Sequence, residues 1–193
     1  VPEYIRKISQ NEYTEAYMIN WESNVFPGIL GRTCDRPCEP ACRRTRTHEK
    51  PVAICRLKRV AADFKDDVTN LLPKAPDKTN GKKVALIGGG PASLTVARDL
   101  IVMGYACTLF EKDPQAGGLM RTNIPSFRLP EEVLDAEVDQ ILDMGLKTNF
   151  NSEITSLKNF LKEDFVTYVN KHHFSKKEKI SRKLQDERKE VYN

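Results

Sequence analysis

Apolar positions along the chain change their period near its middle. Over the first 65 residues they recur at three- and four-residue spacing, which predicts helices. Pro2 opens the first, with Tyr4, Ile5 and Ile8 on its apolar face. Asn11 is placed to cap a second helix, which carries Ala16, Met18 and Ile19. Pro51 stands where a further helix would start, and Ile54, Leu57 and Ala61 give that helix a buried stripe beside Cys55. From residue 84 the pattern is that of an α/β unit. Residues 84–87 are an apolar run of strand length, followed at once by Gly88, Gly89 and Gly90. Residues 91–103 have helical spacing with Gly104 as a stop, and residues 106–110 form a second strand. Pro130 opens an amphipathic helix with Glu131 and Glu132 in its first turn, a buried face of Leu134, Val138, Ile141 and Leu142, and Gly145 at its end. A short strand at 146–148, a helix at 157–161 and a strand at 165–169 complete the pattern. The expected architecture is multi-domain, α then α/β. It comprises a small helical domain (1–65), a linker (66–80) with two prolines and no period, a partial Rossmann-like domain (81–169) and a charged tail (170–193).

Composition narrows the classes. The 193 residues are 39% hydrophobic and 30% charged, ordinary for a soluble chain with a sizeable core. No apolar run approaches about 18 residues, so no membrane span is expected. The chain opens at Val1 rather than Met, as a processed product or a fragment would, and no signal peptide begins it. Five cysteines without a secretory signal point to a reducing, cytoplasmic setting, where clustered thiols mean metal or redox chemistry. The net charge of +4 comes entirely from the tail, which reads as a solvated helix or disordered segment with His172 and His173 at its surface. A basic docking element is the other reading of the tail. The body is neutral, and no nucleic-acid partner is expected.

Two stretches carry chemistry. The first is the glycine turn between strand and helix. Gly88 permits the tight turn, and Gly90 lets backbone approach a pyrophosphate at the helix N-terminus. Glu111 ends the second strand roughly twenty residues on, placed to accept bonds from ribose hydroxyls. Ser93 stands where the third glycine usually lies. The pattern admits NAD or FAD, and also a glycine-rich turn that holds no ligand. Gly117 and Gly118 form a second loop where backbone can approach a ligand. The second stretch carries Cys34, Cys38 and Cys42 in C-x3-C-x3-C spacing, amid Arg32, Arg36, Arg43 and Arg44, which would lower thiol pKa values. Iron–sulfur clusters are held by such thiolates. Zinc is the rival, though this is not a usual zinc-ribbon spacing, and free cysteines packed as small hydrophobes are a third reading. Cys107 lies inside the second strand and reads as core.

In this order, FPGILGRTCDRPCEPACRR, PVAICRLKR, the GGGPAS turn, FEK, AGGLM and IPSFRLP resemble the small subunit of bacterial glutamate synthase and its relatives. Those relatives include the N-terminal half of dihydropyrimidine dehydrogenase and the larger subunit of the bifurcating NADH-dependent ferredoxin–NADP oxidoreductases. The resemblance runs from residue 2 to about residue 166. It implies a helical domain carrying two [4Fe–4S] clusters, then an FAD-binding domain of glutathione-reductase type, normally followed by an NAD(P)H-binding domain. Gly88, Gly90, Pro91, Ala92 and Ser93 would hold the pyrophosphate, Glu111 and Lys112 the adenosine end, and Gly118, Leu119 and Arg128 the flavin side, with Gly117 in the same loop. Cys34, Cys38 and Cys42 would be cluster ligands. Lys58 stands at a fourth-ligand position, and Cys55, on the same helical face, is a substitute for it. Leu30 replaces a cysteine found in many relatives. The family's upstream cysteine group would precede Val1, and residues 170–173 replace its flavin-closing segment, so truncation at both ends is expected. In the family NAD(P)H gives a hydride to FAD, which passes single electrons to the clusters. The implied role is an electron-transfer component that obtains NAD(P)H through a missing domain or a partner subunit and does not turn over alone. The alternative is a truncated, non-enzymatic homologue serving as a binding or assembly module.

Overall fold

The structure, a computed structural model, describes residues 1–160 and the backbone of a strand at Val166–Val169. The expected tail, with His172 and His173, lies outside the described residues, as do residues 161–165. Helices α1 (Pro2–Ser9) and α2 (Tyr13–Ser23) form a hairpin. Asn11 does not cap α2. It takes a left-handed conformation (φ +61°) in the turn itself, and Glu12 occupies the cap position. Helix α3 (Pro27–Thr33) falls in a stretch whose prolines and cysteines concealed any helical period. Helix α4 (Ile54–Phe64) begins three residues after Pro51, not at it. Residues 51–53 stay non-helical, and the Val52 amide points at the Cys42 sulfur (3.5 Å) instead of opening a helix.

The helices pack Tyr4, Ala16, Tyr17, Trp21, Phe26, Ile29 and Ala61 into a core. Helices α3 and α4 touch backbone to backbone, since a Cβ on Gly31 would stand 2.8 Å from Arg59 N and Cα. Residues 65–82 are irregular, and Val68 and Leu72 among them are buried in the same core. The linker is pinned.

Beyond it, β1 (Lys83–Ile87), α5 (Pro91–Val102), β2 (Ala106–Phe110), α6 (Leu119–Thr122), α7 (Glu131–Leu142), β3 (Lys147–Asn149), α8 (Leu157–Phe160) and β4 (Val166–Val169) follow in order. The strands form a parallel sheet in the order β3-β2-β1-β4, with Val84 opposite Cys107 and Val166, and Thr108 opposite Lys147. Alternation along β1 sends Val84 and Leu86 to the face covered by α5 and α7. Ala85 and Ile87 meet Leu157 and Phe160 on the other. Cys107 is core, as its strand position implied. The first face is continuous with the core of the helical module, and one apolar cluster runs from Tyr4 to Leu146. Among the described residues no helix is long and apolar enough to cross a membrane.

Candidate functional site

The glycine turn is built by backbone. Gly88 (φ +90°) leaves β1, and its N–H donates to Phe110 O at 2.8 Å, tying the turn to β2. Gly89 N–H donates to Glu111 Oε2, and Asp113 N–H to Glu111 Oε1 at 2.9 Å. Glu111 is buried and grips the turn with both oxygens. A carboxylate offers about four acceptor positions, so capacity remains for hydroxyl donors. A Cβ on Gly89 would lie 2.9 Å from Glu111 Oε2, so this middle glycine, to which the motif assigns no role, is required by the carboxylate beside it.

Gly90 caps α5 and Pro91 is its first residue. First-turn amides of a helix lack intrahelical acceptors and attract anions. The Ser93 side chain is fully buried against the strand, as a third small residue should be, and its hydroxyl makes no hydrogen bond. The second glycine loop crosses directly over the first. Gly117 N–H donates to Gly89 O at 2.8 Å, and a Cβ on Gly118 (φ +50°) would sit 2.9 Å from Gly90 Cα. Arg121, which carries no sequence signal, holds this loop by donating to Ala116 O (3.0 Å) and pairing with Asp135 of α7. Lys112 and Leu119 are exposed at the rim.

The cysteines leave α3 in a run of turns. Cys34 Sγ accepts the Arg36 amide at 3.3 Å, and Cys42 Sγ the Val52 amide. These are bonds a thiolate favours. The Cys42 thiol is held below its usual pKa, first by the Val52 amide and then by Arg44. Cys55 is buried, its thiol pointing at Gly31 O (3.3 Å) and Leu30 O (3.5 Å). Burial, followed by its neighbour Cys34, pushes its pKa up. Lys58 and Arg36 oppose that rise, so Lys58 shares the Cys55 face. The Tyr4 hydroxyl, bonded to Ile54 O at 2.8 Å, is raised to about 12 by burial, then by Cys38 and Cys55. Cys55 thus lies beside Cys34, while Cys42 faces Val52. Arg32 turns away from the thiols to Asp63 at 2.6 Å. Among the described residues no three His, Cys, Asp or Glu side chains gather as around a single ion. Four sulfurs at about 2.3 Å from one zinc would have to be almost in contact. A cubane spreads its thiolates over separate irons, and the sulfur-directed amides suit that donor set.

Arg128, from the segment after the second glycine loop, reaches the base of the cysteine loop. Its guanidinium donates to Thr33 O at 2.9 Å and Arg32 O at 3.3 Å, next to Cys34, with Asp35 at 3.8 Å.

A helical cysteine module joined to a parallel-sheet dinucleotide module is therefore the class that fold and site define. Comparison with known proteins agrees on both halves. Residues 1–69 match the family of dihydropyrimidine dehydrogenase domain II, 4Fe-4S cluster, and residues 86–161 match an NAD(P)-binding Rossmann-like domain. The NADP(+)-dependent formate dehydrogenase subunit beta of Moorella thermoacetica is 38% identical over 80% of this chain and 25% of its own length. The NAD-dependent dihydropyrimidine dehydrogenase subunit PreT of Salmonella typhimurium is 38% identical over 78% of this chain and 37% of its own. The glutamate synthase [NADPH] small chain of Mycobacterium tuberculosis is 32% identical over 88% of this chain and 35% of its own. The chain is a homologue of these oxidoreductase subunits, combining an iron–sulfur module with a Rossmann module, as the resemblance to the glutamate synthase small subunit implied. It spans between a quarter and just over a third of the length of these relatives.

Proposed function

We propose that the chain is the FAD- and [4Fe–4S]-binding electron-transfer part of an NAD(P)H-linked oxidoreductase resembling the glutamate synthase small subunit. One observation carries the reading: Arg128, in the FRLP segment after the second glycine loop, lies with its guanidinium on the carbonyls that lead into Cys34. A side chain of the nucleotide module thus touches the segment that leads into the cysteines, which supports reading the two together. The crossed glycine loops and the first turn of α5 suit a pyrophosphate, which Gly88, Gly90, Pro91, Ala92 and Ser93 hold in this reading. Glu111 and Lys112 take the adenosine end, and Gly117, Gly118, Leu119 and Arg128 border the flavin. FAD is preferred to NAD because the AGGLM and FRLP segments follow the turn. Cys34, Cys38, Cys42 and Cys55 are the thiols for iron. A bound flavin exchanges hydrides for single electrons, and clusters carry them singly. The chain's own task is to bind, orient and shield both groups, with no side chain required as acid or base. NAD(P)H and the electron acceptor belong to a partner oxidoreductase domain or subunit, in the cytoplasm and without nucleic acid.

Anaerobic purification followed by absorption spectra and iron, sulfide and flavin assays tests this directly. The expected product is coloured and contains all three. A colourless chain with neither flavin nor iron overturns the reading and leaves a binding or assembly module. Cys34→Ala with Cys42→Ala should abolish iron binding; retention would refute the ligand set.

A further inference from the structure

Helix ends carry partial charge, positive at the N-terminus and negative at the C-terminus, together with unpaired backbone groups. At three helix ends of the cysteine module, charged side chains of the nucleotide module meet those groups, each with the sign that its end favours. At the N-terminus of α3, Glu137 of α7 accepts the Gly28 amide at Oε1 (2.6 Å) and the Ile29 amide at Oε2 (2.9 Å). The Tyr17 hydroxyl of α2 donates to the same Oε1 at 3.0 Å. Glu137 is only 3% exposed. A Cβ on Gly28 would lie 3.0 Å from Oε1, a contact tight enough to press on the carboxylate. At the C-terminus of α3, Arg128 donates to the Arg32 and Thr33 carbonyls. At the C-terminus of α2, Arg98 of α5 donates to Trp21 O (2.7 Å) and Glu22 O (3.4 Å), with its guanidinium 4.9 Å above the Trp21 ring.

Apolar contact alone would hold two modules together. A buried carboxylate with two backbone amides is a costlier joint, and it fixes orientation. Helix α3 is gripped at both ends, and its next residue is Cys34. We propose that Glu137 and Arg128 are positioning residues that set α3, and through it Cys34, at a fixed place against the crossed glycine loops, with Arg98 holding α2 in the same frame. The proposal rests on the electron-carrier reading, because electron tunnelling weakens steeply with distance and makes that placement matter.

The test uses the full chain with Arg128→Gln, Arg128→Lys and Glu137→Gln. Native-state hydrogen exchange is read on peptides covering residues 28–36 and 83–94. Arg128→Gln should keep the wild-type circular dichroism spectrum and raise exchange at residues 32–36 by about tenfold, leaving 83–94 unchanged. Arg128→Lys should restore part of the protection, and Glu137→Gln should raise exchange at 28–33. In anaerobically reconstituted chains the Glu137→Gln variant should keep its iron and flavin content but transfer electrons from flavin to cluster several-fold more slowly in stopped-flow spectra. Unchanged exchange at 32–36 in Arg128→Gln, or an equal rise in both regions, overturns the proposal. Loss of flavin from Arg128→Gln with α3 exchange unchanged also overturns it and makes Arg128 a flavin contact only. A wild-type chain without iron or flavin refutes the electron-carrier reading, while the exchange comparison still decides the joint.

Discussion

The glycine turn and the cysteine loop are held in opposite ways. At the turn, Gly88, Gly89 and Gly90 are all buried, and bonds to Phe110, Glu111 and Gly117 fix the backbone before any ligand arrives. From residue 35 to residue 53 the cysteine loop contributes no buried residue. Its order comes from turn bonds, the two amide-to-sulfur bonds and the helices at its ends. The polypeptide organises the turn in advance; in the proposed reading the cysteine loop is completed by its metal, as in small domains where metal binding and local folding are one process. The ends of the loop are nevertheless rigid, because α3 and α4 are in backbone contact.

The strongest challenge to that comparison is Gly31→Ala. The new methyl would meet Arg59 backbone, which cannot yield as a flexible side chain can, so α3 must move off α4. The expected cost is about 3 kcal/mol, read from the urea midpoint at unchanged m-value. A near-neutral result would mean that the loop's base is as loose as its tip. Glu111→Ala comes next. It leaves the Gly89 and Asp113 amides without their acceptor and should cost about 2 kcal/mol. It should also weaken flavin retention on a desalting column. Wild-type stability would show that the turn holds its shape without the carboxylate.

The smallest perturbation is thiol alkylation of the metal-free chain, followed by mass spectrometry. Cys42, with its pKa held down by the Val52 amide and Arg44, should react first at neutral pH, and Cys55 later. Burial raises Cys107 to about 11. Its thiolate is therefore scarce at pH 8, and labelling should increase only as pH climbs toward that value or as the chain unfolds. Early Cys107 labelling would show that the sheet opens as readily as the loop.

Local patterns made much of this legible. The strand, turn and helix of the nucleotide module were readable because apolar period, glycine and acid are close in sequence, and the structure matches them within a residue or two. Helix α3 was hidden because its stabilising partners, Arg59 beneath Gly31 and Glu137 at its first turn, are distant in the chain. The late start of α4 has the same origin, since the Val52 amide is directed to a sulfur ten residues earlier. Arg128 was picked out by resemblance, but its carbonyl partners on α3 needed the fold. Nothing in the local pattern singles out Arg98, Arg121 or Glu137 on their amphipathic stretches. Only tertiary packing turns them toward helix ends and loops.

The apolar cluster that runs from Tyr4 to Leu146 passes through both modules and the pinned linker. The boundary that divides the chain in sequence is thus no boundary in thermodynamics. A shared core of this kind predicts that the helical half and the sheet half melt together as one cooperative unit. A dinucleotide bound at the glycine turn would therefore protect the distant α3 against global unfolding by mass action.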